Sequence, residues 1–457
     1  MYDFGHMSFE ELVRPEGFEC ECGKKHSVPI EYLKICRGAT AYLPEALRAV
    51  KSRKPFIVCD KNTYEAAGKA AEETLEKAGI EYTTYVIPSN DGERIKPGDW
   101  ELGSIGMHFD PGCDFILAVG GGVINDLCKV FGHDTGRKTG VLGTSPSMDG
   151  FASNSSSMEV NHVKVSLYNA CPAVILCDTE VMAKAPMRNL WAGLGDMTAK
   201  YISICEWRIS TLITGEYYCE GVAGMMRAAL ERIMAAALQI PSRDPDAIQT
   251  VAEGLVLAGI AMSYAQISRP ASGLEHYFSH VWEMLALERG LPYDLHGIQV
   301  GIGTVLSMKV MNRVRTIRPD PEKAAAAMRA FDPCEWEKNV RRVFGKTAHE
   351  IIAIEEKTHK NDPARQAAHA RKICENWDQI LKIIDEEIPD EQWLFDIFEK
   401  VGMPMWPKDI GVSRQDTRDA FICSRDIRDK YLISSLLWEI GEMDEFADWV
   451  ETLADGE

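Results

Sequence analysis

A run of apolar residues that stops on three consecutive glycines constrains this chain more than any other feature: Phe115-Ile116-Leu117-Ala118-Val119-Gly120-Gly121-Gly122. The run has the length and composition of a buried strand, and a helical pattern, Val123–Phe131, begins directly after it. A second apolar strand over 140–142 leads to Thr144-Ser145-Pro146-Ser147. Strand, glycine turn and helix N-terminus together make a cradle for an anion. Glycine lets the backbone come close, and the first N–H groups of a helix have no intrahelical acceptor. A ligand-free strand-to-helix turn needs the same residues, so the surroundings must decide between the two.

Those surroundings alternate strand and helix. Pro55–Cys59 reads as a buried strand ending in Asp60, Thr63–Ala78 as a helix, and Tyr82–Ile87 and Ala173–Cys177 as further strands. Such alternation implies an α/β fold with a mostly parallel sheet covered by helices on both faces. Ligands bind such sheets beyond the C-terminal ends of the strands, where Asp60, Gly120–Gly122 and Thr144–Ser147 all fall. From 191 onward the pattern is helical: 190–209, 217–240, 246–268, 274–287 and 297–311, then amphipathic stretches over 322–331, 334–344, 362–387, 391–401, 414–423 and 431–453. The charged stretch 355–371 reads as one solvated helical face. The expected organisation is a nucleotide-binding α/β domain over 1–190, with a lead-in over 1–37, and an all-helical domain over 191–457.

Composition narrows the partners. With 69 acidic against 50 basic residues the net charge is −19, and no basic block stands out, so nucleic acid is not an expected partner. An anionic substrate would need local cationic groups or a metal. No apolar stretch looks long enough to span a bilayer and the N-terminus lacks a signal-peptide pattern, so no membrane partner is expected. Thirteen cysteines, mostly inside apolar runs such as those around Cys59, Cys128, Cys177 and Cys205, suit reduced core residues and a cytoplasmic protein. Cys20, Cys22 and His26 are zinc-type ligands, but a fourth is missing nearby and C-x-C is not the usual structural spacing. A hairpin turning at Gly23-Lys24 is expected there instead.

Three segments of the helical half carry side chains that suit a metal: AGLGDMTAKY over 192–201, ASGLEHYFSH over 271–280 and LHGIQVG over 295–301. Asp196, His276 and His296 would supply one carboxylate and two imidazoles, which leaves coordination positions open for a substrate. Single acids and histidines on helices are often structural, and His276 and His280, four apart on one face, would also suit a packed pair. Spacing alone leaves both readings open.

Taken together, GGGVIND (120–126), TSPSMDGFAS (144–153), GLGDMTAKY (193–201), ASGLEHYFSH (271–280) and LHGIQVGIGT (295–304) resemble the iron-containing alcohol dehydrogenase and dehydroquinate synthase-like superfamily. Within it the chain is most similar to the sn-glycerol-1-phosphate dehydrogenases, particularly the bacterial branch. The motifs stand in the family's order, and the resemblance runs from about residue 38 to the C-terminus. It implies a metal-dependent oxidoreductase that passes a hydride between NAD or NADP and a small phosphorylated triose, dihydroxyacetone phosphate or glycerol 1-phosphate, and that forms a homodimer. It implies one divalent metal (zinc, nickel or iron) on Asp196, His276 and His296. Gly120, Gly121, Gly122, Val123, Asn125 and Asp126 would hold the cofactor diphosphate, and Thr144, Ser145, Ser147 and Ser153 the nicotinamide side. Asp149 and His280 would meet the substrate, and Lys164 is a candidate for its phosphate. Asp60 would accept from the adenosine ribose, where a carboxylate favours NAD over NADP. Taken without the resemblance, Asp60 reads equally as a cap of the following helix. Leu274 and Ile298 depart from the family's usual residue types, but neither is an implied ligand.

Rival readings differ in chemistry. A glycerol or other polyol dehydrogenase would share the cofactor and metal residues and lack only a phosphate pocket. A dehydroquinate synthase-like lyase would carry glutamate at the position of Asp196 and a glycine-lysine-rich segment where this chain has GFASNSSSMEV. A non-catalytic nucleotide-binding protein would have no use for Asp149, Asp196, His276, His280 and His296 together.

Overall fold

The protein is described here from a computed structural model that covers residues 2–89, 94–160 and 163–456. It divides into two compact units, Met1–Met197 with Cys219–Pro270, and Thr198–Tyr218 with Ala271–Glu457. The boundary expected near residue 190 falls inside a helix, α2 (Met187–Thr198), and helices α3 (Glu220–Ala236) and α4 (Pro245–Ala265) belong to the sheet-bearing unit.

The first unit opens with a hairpin, β1 (Phe18–Glu19) and β2 (Lys25–His26), which turns through Gly23 at φ +84° as expected. Its sheet comprises β3 (Tyr32–Cys36), β4 (Pro55–Asp60), β5 (Thr83–Ile87), β6 (Phe115–Gly120), β7 (Lys138–Gly143) and β10 (Val174–Asp178). All are parallel, in the order β3-β10-β7-β6-β4-β5. Every residue of β6 is buried, because helices cover both faces of such a sheet; this is why the strand is continuously apolar rather than alternating. Phe115, Leu117 and Val119 point into one core with Ile57, Leu142 and Leu176. One edge strand and one strand pair were not legible in the sequence. Edge strand β3 carries Lys34 and is only half-buried, so it lacks an apolar run. The antiparallel pair β8 (Ser155–Val160) and β9 (Val163–Tyr168) begins on three serines.

Helix α4 corrects one expectation. Its 21 residues are long and apolar enough to cross a membrane by length and composition, yet 78% of that window is buried within the protein. It is a core helix of the first unit.

The second unit is helical among its described residues. Its expected long helices are interrupted. The stretch 362–387 breaks at Asn376 into Pro363–Glu375 and Trp377–Glu387, and 431–453 breaks at Gly441, φ +76°, into Ile433–Glu439 and Met443–Thr452. The charged stretch 355–371 is not one face: Ala348–Thr358 ends at His359, φ +51°, and Asp362 caps the next helix by accepting from Arg365 N–H. A close backbone approach joins α5 (Leu274–Arg289) to α6 (His296–Val314). A Cβ at Gly303 would lie 2.3 Å from Glu275 O. Glycine is needed there for space, since no side-chain rearrangement relieves a clash with a main-chain carbonyl. Gly303→Ala is therefore expected to push α5 from α6 and lower stability by about 1–3 kcal/mol. A urea unfolding midpoint equal to that of the parent would contradict it.

Candidate active site

In the first unit the chain reverses its direction of travel across the sheet between β4 and β6: β4 leads outward to β5, and β6 leads the other way to β7. A parallel sheet opens a ligand crevice at such a point, beyond the strand C-termini. The β4–β6 register pairs Pro55 with Phe115 and Val58 with Ala118, so Asp60 and Gly120, the last residues of the two strands, come level at the crevice. This geometry brings an acid that precedes the glycine turn by sixty positions to the same end of the sheet. Asp60 also caps the helix after it: its Oδ1 accepts from Thr63 N–H at 2.7 Å, and Thr63 Oγ1 accepts from Asp60 N–H at 2.9 Å. The cap fixes the carboxylate's orientation at the strand end.

The three glycines have different reasons. A Cβ on Gly120 would meet Ile124 Cγ1 at 2.6 Å, and one on Gly122 would meet Met148 Cγ at 2.9 Å, so both are packing positions. A Cβ on Gly121 would meet nothing nearer than Ser147 Oγ at 3.8 Å. Gly121 is the N-cap of α1 (Gly122–Thr135), and no side chain caps that terminus. Open space over an uncapped helix N-terminus fits an anion. Opposite it, Thr144 N–H donates to Gly120 O, and Asn189 of α2 donates to Ser145 Oγ at 2.8 Å. Helix α2 approaches so closely that a Cβ at Gly193 would lie 2.0 Å from Pro146 O.

Several expected cofactor residues face inward. Lys129, whose side chain is 0% exposed, lies 3.0 Å from Asp126 Oδ1. Its ammonium donates to Ser155 O at 2.5 Å, Ser153 Oγ at 3.2 Å and Gly150 O at 3.4 Å. Asp126 Oδ2 accepts from Ser157 N–H at 3.0 Å, and Asn125 Nδ2 donates to Gly150 O at 3.3 Å. Ser153 Oγ lies 3.0 Å from both Gly150 O and Ser155 O. Asn125, Asp126 and Ser153 thus tie α1 to the 150–157 segment. Lys129 was missed, although a lysine inside Leu127-Cys128-Lys129-Val130-Phe131 is a signal that a buried charge needs partners. Lys164 sits on β9 opposite Glu159, an acid, in the hairpin register. Asp149 N–H donates to Asp196 Oδ2 at 2.9 Å, and Asp196 is fully buried on α2.

The second unit brings three imidazoles together. Ring centroids of His276 and His296 lie 5.2 Å apart, those of His280 and His296 5.5 Å, and those of His276 and His280 6.2 Å. Carboxylates hold the Nδ1 sides of two of them. Glu275 Oε1 lies 2.9 Å from His276 Nδ1 and also accepts from Gly273 N–H at 2.6 Å. Glu283 Oε1 lies 3.3 Å from His296 Nδ1, and Ser279 Oγ lies 3.0 Å from that nitrogen while donating to Glu283 Oε1 at 3.5 Å. Ionised carboxylates only accept, so Nδ1 carries the proton on His276 and His296 and the lone pair is on Nε2, as in metal-binding histidines. Glu283 Oε2 is 3.9 Å from His280 Nδ1. Glu206, buried, fixes the start of α5: its Oε2 accepts from Leu274 N–H at 2.9 Å and its Oε1 from Ile433 N–H at 2.8 Å. None of Glu206, Glu275 and Glu283 was singled out in the sequence; Glu283 follows His276 by two helical turns, the one spacing that could have marked it.

Replacing Lys129 tests whether its ammonium binds the 150–157 segment to α1. Lys129→Met leaves Asp126 without its cation and is expected to destabilise the protein by about 3 kcal/mol. Adding Asp126→Leu, which removes the stranded charge, is expected to recover part of that loss in a urea-melt double-mutant cycle. No loss in the single variant would show the network to be incidental.

The comparisons with known proteins agree with this architecture. Residues 34–186 match the family model described as iron-containing alcohol dehydrogenase. The glycerol-1-phosphate dehydrogenase [NAD(P)+] of Halalkalibacterium halodurans is 33% identical over 289 residues, 63% of this chain and 72% of the relative. The protein of the same name from Pyrococcus furiosus is 31% identical over 291 residues, 63% of this chain and 80% of the relative. A crystal structure of glycerol dehydrogenase from Schizosaccharomyces pombe shares the fold, with a TM-score of 0.58 at 15% identity over 94% of this chain and 92% of that one. An α/β unit with a glycine-cradled crevice, a helical unit with carboxylate-held imidazoles and relatives of this identity lead to one conclusion: the chain belongs to the glycerol-1-phosphate dehydrogenase family of iron-containing alcohol dehydrogenases.

Proposed function

We propose that this protein reduces dihydroxyacetone phosphate to sn-glycerol 1-phosphate, and catalyses the reverse oxidation, using NAD(H) or NADP(H). The observation that carries the reading is the set of histidines on α5 and α6 whose Nδ1 atoms are held by Glu275 and Glu283. The substrate comes from the relatives, which carry that activity in their names.

In this reading Asp196, His276 and His296 hold a divalent metal, zinc, nickel or iron. When bound, it supplies a Lewis acid for the C2 oxygen of the substrate. The donor set fits: a fully buried acid, positioned by Asp149 N–H, and two imidazoles with their lone pairs on Nε2. The glycine turn binds the dinucleotide diphosphate at the N-terminus of α1, and Asp60 accepts from the adenosine ribose. Thr144, Ser145 and Ser147 line the nicotinamide side. The nicotinamide, when bound, would supply the hydride to C2 of the ketone, whose oxygen would take up a proton. His280 orients the substrate or passes that proton, since imidazole exchanges protons near neutrality. Asp149 holds a terminal hydroxyl.

Metal-reconstituted protein with NADH is expected to oxidise the cofactor when given dihydroxyacetone phosphate, and to do so far more slowly with dihydroxyacetone. A chelator or His276→Ala is expected to abolish turnover. Preference for the unphosphorylated ketone, read as nicotinamide absorbance, would reassign the protein as a polyol dehydrogenase. Glu275→Gln is expected to weaken metal binding by about 10–100-fold, because it disturbs the proton position and orientation of His276. Equal affinity in a competitive chelator titration would remove Glu275 from the site.

A further inference from the structure

The fourth ligand missing from the Cys20-x-Cys22-x3-His26 motif is supplied by the fold. Cys219, the residue just before α3, lies in the same compact unit as the N-terminal hairpin. The ligand atoms of Cys20, Cys22, His26 and Cys219 all lie within 4.8 Å of one another. Cys20 Sγ is 3.8 Å from Cys219 Sγ, Cys219 Sγ is 3.5 Å from His26 Nε2, and Cys22 Sγ is 3.3 Å from His26 Nε2. A tetrahedral zinc with bonds of about 2.3 Å to sulfur and about 2.0–2.1 Å to nitrogen would have sulfur–sulfur edges of about 3.8 Å and sulfur–nitrogen edges of about 3.6 Å. The Cys20–Cys219 and Cys219–His26 edges match that tetrahedron, and the Cys22–His26 edge is somewhat shorter.

We propose that Cys20, Cys22, His26 and Cys219 bind a structural zinc ion that clips the N-terminal hairpin to helix α3.

The second coordination layer has the form such sites take. His26 Nδ1 lies 2.8 Å from Tyr264 O; a carbonyl only accepts, so Nδ1 bears the proton and the lone pair of Nε2 faces the sulfurs. Tyr264 also stacks on the His26 ring, with centroids 5.3 Å apart, and its hydroxyl donates to Leu12 O. His26 and Cys219 are buried while Cys20 and Cys22 are partly exposed, which gives an ion an entry path. The hairpin turn brings the two cysteines together through Cys20 O, which accepts from Gly23 N–H at 3.0 Å. Three cysteines and one histidine leave no open coordination position, so the ion would be structural rather than catalytic. It is independent of the site on Asp196, His276 and His296.

The test uses full-length protein carrying His276→Ala, which removes a ligand of that other site. It is stripped with a chelator and titrated with Co²⁺. Thiolate-to-cobalt charge-transfer absorption saturating at about one equivalent is expected, with the strong visible bands of a tetrahedral centre, and Zn²⁺ should displace it. Adding Cys22→Ser or Cys20→Ser, both at partly exposed positions, is expected to weaken the band and the affinity, while far-ultraviolet circular dichroism stays unchanged. Zinc should raise Tm in the His276→Ala protein and much less in the cysteine variants. The proposal is overturned if no charge-transfer band appears in the His276→Ala protein. It is also overturned if the band is unaltered in both serine variants, or if fresh protein contains a Cys20–Cys219 disulfide.

Discussion

A charge taken out of water has to be met by other polar groups, and the first unit is arranged around one such charge. The ammonium of Lys129 has no exposure, and its partners are Asp126, Ser153 and the carbonyls of Gly150 and Ser155. These contacts join the helix behind the glycine turn to the segment that follows the Thr144–Ser147 loop. Residues 144–149 lie between those anchors, and Asp149 in turn donates to Asp196. One desolvated cation therefore sets the position of a chain of groups running from the glycine turn to the buried acid on α2. Removing a partner exposes the full cost of burying the others, which makes the arrangement rigid.

The second unit solves a similar problem with the signs reversed. Its buried acids, Glu206, Glu275 and Glu283, are met by main-chain N–H groups, a serine hydroxyl and imidazole nitrogens. Each fixes something useful: Glu206 the start of α5, Glu275 the ring of His276, Glu283 the ring of His296. Gly303 lets α6 approach the carbonyl of Glu275 and so sets the spacing of the two histidine-bearing helices. The sequence motifs single out the histidines; the geometry adds the carboxylates beside their Nδ1 atoms.

Much of this was legible in the sequence for identifiable reasons. Strands buried on both faces, such as Phe115–Gly120, announce themselves as apolar runs, whereas the half-buried edge strand Tyr32–Cys36 and the serine-led strand Ser155–Val160 do not. The motifs marked Asp196, His276 and His296 as chemically apt residues. They could not show that Asp60 and Gly120 end level on adjacent strands, because register is a property of pairing and not of either segment. Nor could they show that Asn125, Asp126 and Ser153 turn toward Lys129. The hairpin at Cys20–His26 was read correctly as a hairpin, but its zinc-type residues looked one ligand short because the fourth is far away in the chain.

That distance bears on how the protein is made. The first unit is discontinuous: Cys219–Pro270 complete it, after a segment that belongs to the other unit. His26 and Cys219 stand 193 positions apart, and β3 must wait for β10. A nascent chain therefore cannot close its N-terminal core when residue 197 leaves the ribosome. The early strands have to stay soluble until α3 and α4 emerge, and the helix Lys200–Thr214, synthesised in between, waits longer still for its own partners. Contacts of such long sequence separation slow folding and expose apolar surface in transit. The interleaved connectivity thus makes translation rate and chaperone access, rather than final stability alone, determinants of how much active protein a cell obtains.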